Sequence, residues 1–276
     1  MNTSRTNNCE VANATLRHLE EIAITCRGNA IDMAEACGSG HLGGSFSVMD
    51  ILVALYYYHS NNNDSIIFSK AHCCEALYAV LGELEYFDKD LFKTFGEWGS
   101  PLQGHATKST IGVEYSGGSL GQGLSYAVGK ALAGKMRGDS RKVYCIIGDG
   151  ECHEGQVWEA ALVAAQYKLD NLVVIVDYNR RSSECESISE VVGVAPLSNK
   201  WKSFNWVTHI IMDGNDMDEI VYTLDKASTI TGLPNCIIAH TVKGKGVWYW
   251  EDGGYHLMYG DVLKRGIKEW REAHAV

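Results

Sequence analysis

Apolar and polar positions follow two periods along the chain. Two short runs, Val143-Tyr144-Cys145-Ile146-Ile147 and Leu172-Val173-Val174-Ile175-Val176, are continuously apolar and rich in β-branched residues, and both stop in polar residues. Runs of this length predict buried strands, and the helical pattern of Gln156 to Lys168 predicts a helix between them. A strand-helix-strand unit of this kind makes the two strands parallel neighbours. Upstream, helical spacing runs from Val11 through Leu16, Leu19, Ala23, Cys26, Ala30, Met33 and Cys37, and residues 1–10 are expected to fray. A second helix is expected with Ser47 as its N-cap and Asp50 three residues on. Asn61-Asn62-Asn63-Asp64 predicts a turn, Ser65 to Phe68 a short strand, Ser69 to Leu84 a helix, and Leu124 to Met136 an amphipathic helix. The remainder alternates: helix near Pro196 to Phe204, strand Val207 to Met212, helix Asp216 to Ser228, strand Asn235 to Thr241, and a helix from Asp261. No linker or repeat interrupts the series. The pattern therefore predicts one α/β domain over residues 11–276, a doubly wound, mainly parallel sheet with helices on both faces.

Charge and cysteine usage exclude several functions. The net charge of −10 is spread along the chain with no long basic run, which argues against nucleic-acid or anionic-membrane partners. The amino terminus lacks the apolar core of a secretory signal, and no apolar run approaches the roughly 20 residues of a membrane helix. The nine cysteines show no C-x-x-C spacing, so reduced thiols in the cytoplasm are the simplest account. Cys73-Cys74 beside His72 read as buried, inert thiols on a helix, because no second cluster has ligand spacing.

Candidate chemistry gathers where the two central strands end. Gly148-Asp149-Gly150 follows the first, and Asn179 closes the second. Neighbouring strands lie about 4.8 Å apart, so the Asp149 carboxylate and the Asn179 amide oxygen can converge at the carboxyl edge of the sheet. Two oxygen donors with glycines beside them suit Mg2+ that keeps positions free for phosphate oxygens. A second feature, Gly117-Gly118-Ser119-Leu120-Gly121-Gln122-Gly123, precedes a helix, where free backbone N–H groups make a diphosphate cradle. Its spacing is neither the dinucleotide nor the Walker A pattern.

Gly148-Asp149-Gly150 followed after 28 residues by Asn179 resembles the metal-diphosphate motif of thiamine-diphosphate enzymes, and Gly148 to Ala160 is similar to transketolases. The resemblance runs from about Ile22 to His256 and corresponds to the amino-terminal portion of a full-length transketolase. Ser39-Gly40-His41-Leu42-Gly43-Gly44 resembles the family's Ser-Gly-His-Pro-Gly-Gly, Ser69-Lys70-Ala71-His72 its Ser-Lys-Gly-His, and Lys243-Gly244-Lys245-Gly246 its Lys-Gly-x-Gly turn. The loop Gly99 to His105 also matches, and Tyr255-His256 falls where the family carries Trp-His-Gly. The resemblance implies the thiamine-diphosphate-binding fold, with thiamine diphosphate and Mg2+ (or Ca2+ or Mn2+) as cofactors. It implies Asp149, Asn179 and the Arg181 carbonyl as metal ligands. Gly118, Leu120, Gly150, Glu154, Asn179 and His256 become cofactor contacts, with Glu159 a weaker candidate. His41, His72, His105 and His256 become the catalytic imidazoles, able to move protons near pH 7.

Four departures stand out: Leu42 for the proline, Tyr178 for an asparagine, Ser182 to Glu186 after the metal motif, and Leu257 for the glycine. Arg180 and Arg181 read as surface charge. The implied activity is transfer of a two-carbon ketol unit from a ketose to an aldose, both commonly phosphorylated. The implied partner is a C-terminal transketolase subunit carrying the pyrimidine-binding domain and the activating glutamate. With that domain not in this chain, the expectation is an α2β2 heterotetramer whose N-terminal subunit is inactive alone. Alternatives are a specialised enzyme for a sulfonated or branched sugar, a non-catalytic subunit of the same fold, and the α subunit of a 2-oxo acid dehydrogenase. The last leaves the loops around His41 and His105 unexplained.

Overall fold

The computed structural model describes residues 3–60, 63–181 and 192–274, with side chains described from residue 15 onward. Its centre is a five-stranded sheet of β2 (Ser65–Phe68), β3 (Val143–Gly148), β4 (Leu172–Asp177), β5 (Val207–Ile211) and β6 (Asn235–Ala239). The strands lie in the order β2-β3-β4-β6-β5, and every pair is parallel. All residues of β3 and β4 are buried, as expected for a parallel sheet covered on both faces. Alternation divides them: Tyr144, Ile146, Val173 and Ile175 enter one core, and Val143, Cys145, Ile147, Val174 and Val176 the other.

The first core lies under α1 (Thr3–Cys37), α2 (Leu42–Val53) and α3 (Cys74–Glu83); the second lies under α4 (Gln122–Arg137), α5 (Gly155–Gln166) and α6 (Leu197–Ser203). Then come α7 (Met217–Ser228), α8 (Trp248–Gly253) and α9 (Gly260–His274). Asp216 caps α7, its side chain accepting from Glu219 N at 3.0 Å.

Several expectations are corrected in detail. α1 extends back to Thr3, through most of the stretch expected to fray, whose first two residues lie outside the described residues. Asn61 and Asn62 of the expected turn, and Ser182 to Glu186, also lie outside them. α2 begins at Leu42, so Ser47 is inside the helix and is not its N-cap. The reason is packing. A Cβ on Gly43 would come within 2.4 Å of the Tyr255 carbonyl oxygen, so this glycine serves close approach rather than a turn.

One small element goes beyond the periodicity. Residues Ser39–Gly40 (β1) pair antiparallel with Met258–Tyr259 (β7), Gly40 opposite Met258. This two-residue ribbon sets His41 beside His256 although the sequence separates them widely. At the carboxyl edge of the main sheet, β2 leads into Lys70, β3 into Asp149, β4 into Asn179 and β6 into Thr241 and Lys243.

Candidate functional site

Parallel pairing puts Gly148 of β3 opposite Asp177 of β4, so the residues that follow meet at one edge. Asp149 is buried; its Oδ1 accepts from Gly150 N at 2.9 Å and its Oδ2 from Arg180 N at 2.6 Å. The Asn179 amide oxygen accepts from Arg181 N at 3.1 Å, and its Nδ2 donates to Ser47 Oγ at 3.3 Å, which fixes the amide's orientation. These oxygens retain lone pairs. Asp149, Gly150, Asn179 and Arg181 line one cavity of about 230 Å3 with Lys70, His72, Leu120, Glu154, Lys243 and His256.

Beneath this edge lies a buried polar layer that the sequence pattern did not reveal. Asp177 is wholly buried and accepts from Lys70 Nζ, from Thr241 Oγ1, and from Ser47 Oγ at 2.6 Å. Burial works most strongly against the Lys70 charge, but Asp177, Cys73 and Asp149 together outweigh it and the ammonium ends above its ordinary pKa. Glu151 ties the glycine-rich loop to the strand: it accepts from Ser69 Oγ at 2.5 Å, Gly121 N at 2.9 Å and Gly148 N at 2.8 Å. Gly121 has φ +80°, and a Cβ there would come 2.7 Å from Glu154 Cβ, so the turn requires glycine.

The opposite end of the cavity is an imidazole cluster. The His41 ring lies 5.6 Å from His72, 6.0 Å from His105 and 5.0 Å from His256, and His72 lies 5.1 Å from His256. Burial, then the neighbouring His105 and Lys243, lower His41 to about 4. Burial and Lys243 foremost lower His256 to about 4 as well. Burial and Lys70 hold His72 well below its ordinary value. All three rings are therefore neutral at pH 7, with nitrogens free to accept or donate.

The structure brings His72, His256, Asp149, Gly150, Asn179, Leu120 and Glu154 to this cavity, and His41 stands at its rim, against His72 and His256 but not itself among the lining residues. His105 stands outside the lining, exposed and against His41. Gly118 is exposed and not among the lining residues, and Glu159 is exposed on α5. The reading of the two arginines as surface charge is corrected for Arg181, which lines the cavity, its guanidinium packed against Gly254. Arg180 instead turns to His240, 2.6 Å away, and lies over Tyr178. Lys243, His153 and Lys70 are lining residues that sequence reasoning passed over. The lysines stand in motifs noted above, so the positions were visible but not their roles.

The donor set tests whether a metal-diphosphate group fits. Among the described residues no three His, Cys, Asp or Glu side chains converge on a metal position. One carboxylate, one amide oxygen and one carbonyl suit a hard cation whose other ligands are phosphate oxygens. Burial, then the Asp177 charge, raises Asp149 to about 7, and a cation beside it reverses that penalty. Lys243 is 5% exposed, has no side-chain partner among the described residues, and is lowered to about 8, chiefly by burial. A buried ammonium facing a cavity calls for an anion. The residues fit the group.

Comparison with known proteins gives the same picture. Residues 19–274 match the family described as "Transketolase, thiamine diphosphate binding domain". The chain is 37% identical over 234 residues, 82% of its length and 83% of the relative's, to one of the subunits of the apulose-4-phosphate transketolase of Phocaeicola vulgatus. It is 40% identical over 224 residues, 78% of its length and 81% of the relative's, to a 6-deoxy-6-sulfo-D-fructose transketolase subunit of a Clostridium species. The crystal structure of transketolase from Campylobacter jejuni superposes with a TM-score of 0.85 at 31% identity, covering 93% of this chain and 42% of that one.

Proposed function

This chain belongs to the transketolase family, and on that premise we propose that it is the diphosphate-binding subunit of a two-polypeptide enzyme that moves a two-carbon ketol unit from a ketose to an aldose. The observation that carries the reading is one cavity with a metal-ready oxygen pair, Asp149 and Asn179, at one end and neutral imidazoles at the other. Asp149, Asn179 and the Arg181 carbonyl would hold Mg2+, or Ca2+ or Mn2+ in its place. When bound, thiamine diphosphate supplies a nucleophilic carbon and an electron sink for breaking the ketose carbon–carbon bond.

The chain's own residues do the rest. Lys243 neutralises the diphosphate, and gains stability for its own charge by doing so. Leu120 and the buried walls keep water from the reacting carbon. His41, His72 and His256, kept neutral, accept and return protons at the hydroxyl and carbonyl oxygens of the sugar. His105 reaches the same substrate from the rim.

Relatives named as subunits support a partner chain, for which we propose the C-terminal subunit with the pyrimidine-binding domain and the activating glutamate, in an α2β2 assembly. Among the described residues no helix is long and apolar enough to cross a membrane, and the seven described cysteines are all free. We propose a cytoplasmic setting, in keeping with the free cysteines.

Reconstitution tests the reading. The pair should take up thiamine diphosphate with Mg2+ and transfer ketol units, and the chain alone should not turn over. Asp149→Ala should weaken uptake, followed by calorimetry, at least about 100-fold, since even residues behind a metal's ligands cost up to that much. Unchanged uptake in the variant would overturn the assignment. Two relatives are named for apulose-4-phosphate and for 6-deoxy-6-sulfo-D-fructose, which favours a second reading, a specialised donor. A panel of ketose phosphates and sulfonates, ranked by kcat/KM, separates it from the ordinary pentose phosphate donor.

A further inference from the structure

α2 has no cap from its own sequence. His41 occupies the N-cap position with φ −92° and ψ 48°, and its side chain makes no capping hydrogen bond. The unmet donor is satisfied from another helix. Glu75, at the start of α3 and wholly buried, accepts from His41 N at 2.7 Å through Oε1 and from Ser45 Oγ at 2.9 Å through Oε2. Burial raises the Glu75 carboxyl above its ordinary pKa, while the bonds from the His41 N–H and the Ser45 hydroxyl, together with the positive end of the α2 dipole, work the other way. Charge-assisted bonds of this kind are also the stronger class.

The surrounding chain is shaped to the carboxylate. A Cβ on Gly40 would lie 2.9 Å from Glu75 Oε1 and 2.8 Å from Ala34 Cβ, so the backbone reaches this position only as glycine. The next segment, His41-Leu42-Gly43-Gly44, contains two glycines and no proline, so no ring restrains its backbone. His41 meets three other imidazoles at 5.0 to 6.0 Å, spacings that a small backbone shift would change.

We propose that Glu75 is the positioning residue of His41: its carboxylate clamps the His41 amide from a neighbouring helix and so fixes where the imidazole stands against His72 and His256, which line the cavity. The catalytic side of this inference rests on the proposed function. The clamp itself does not.

Glu75→Ala and Glu75→Gln separate the two. In the chain alone, amide hydrogen exchange should find His41 N–H slow in the wild type and in Glu75→Gln, whose amide oxygen still accepts. It should be fast in Glu75→Ala while β3 and β4 keep their protection. In the reconstituted pair, Glu75→Ala should lower kcat about 10²-fold, the scale of a 1 Å misplacement. Thiamine diphosphate affinity should stay within about twofold, as for independent sites, and Glu75→Gln should restore most of kcat. Equal protection of His41 in Glu75→Ala, no rescue by glutamine, or cofactor affinity falling in step with kcat would each overturn the proposal. If the alanine variant does not fold, Glu75→Asp, one methylene shorter, takes its place. Faster His41 exchange with lower kcat is then expected, and no change in either sinks the idea. A wild-type pair that transfers no ketol unit defeats the proposed function, while the exchange experiment still decides the clamp.

Discussion

At the diphosphate end of the cavity, polar groups are held by strand ends and by a buried ionic layer. Asp149 and Asn179 follow adjacent parallel strands, and Asp177 behind them takes hydrogen bonds from Lys70, Thr241 and Ser47. At the imidazole end, four histidines arrive from separate segments and meet ring to ring, His41 edge-on to the other three and His72 tilted against His256. The first end concentrates charge and satisfies it. The second excludes charge from His41, His72 and His256, by burial and by the lysine and histidine neighbours set around them. The contrast matches the two tasks proposed for the cavity, since a diphosphate-metal group would need fixed charges and proton transfer would need rings that can change state.

The largest effect should come from breaking the ionic layer. Asp177→Asn keeps the shape but leaves the Lys70 ammonium buried without its counter-charge; the two side chains are 0% and 3% exposed. Loss of one partner of such a pair costs about 3–5 kcal/mol, readable as a lower urea midpoint with unchanged slope. A loss below about 1 kcal/mol, the range of exposed pairs, would mean the charges are not held apart from water, and the contrast between the two ends would fail.

Much of the diphosphate end was legible in sequence because its geometry is local. Two β-branched runs forced buried strands, the helix between them forced parallel pairing, and Asp149 and Asn179 then had to meet. The layer behind was not legible, because a buried Lys70, Glu75 or Glu151 reads in sequence like any surface charge. Only Phe68-Ser69 before Lys70, at a strand end, hints at burial. The imidazole end was legible as separate loops but not as a cluster. The ribbon that joins His41 to His256 is two residues long on each side, too short for any periodicity to register. Expecting α2 to start at Ser47 left Gly43 and Gly44 outside the helix, since glycines that permit close packing look in sequence like glycines that precede one.

The pH dependence of stability sharpens the comparison. His41 and His256 are neutral in the fold down to about 4, whereas unfolded histidines protonate near 6.5. Between those values the unfolded chain binds more protons, so this contribution is complete above pH 6.5 and lost as pH falls towards 4. Lys243 and His105 act on both rings in the same sense, as do Lys70 and His41 on His256, and His72 packs against both. Asp149 at the other end works oppositely: raised to about 7, it favours the fold at low pH and withdraws that support as pH rises from about 4 to 7. Urea midpoints from pH 7.5 to 4.5 should therefore fall less steeply in a His41→Gln, His256→Gln double variant than in the wild type. Coincident slopes would show that the fold does not hold these rings neutral.

The smallest effect is expected at His105, which tests where the imidazole end stops. Its ring is 6.0 Å from His41 but outside the cavity lining, and its loop is pinned by one backbone and one side-chain bond: Ala106 N donates to Ala71 O at 3.0 Å, and Tyr78 Oη to the His105 carbonyl at 3.4 Å. A side chain on the rim can steady a substrate hydroxyl by one neutral hydrogen bond, worth roughly 0.5–1.5 kcal/mol. His105→Ala in the reconstituted enzyme should accordingly raise KM for the donor by about 3–10-fold, with kcat and cofactor affinity unchanged. A fall in kcat of about 10²-fold or more would instead make His105 a proton-transfer group, and the cluster would then have four working rings rather than three and a rim. An unchanged KM would remove it from the substrate altogether, leaving the ring to act only as the neighbour that helps keep His41 neutral.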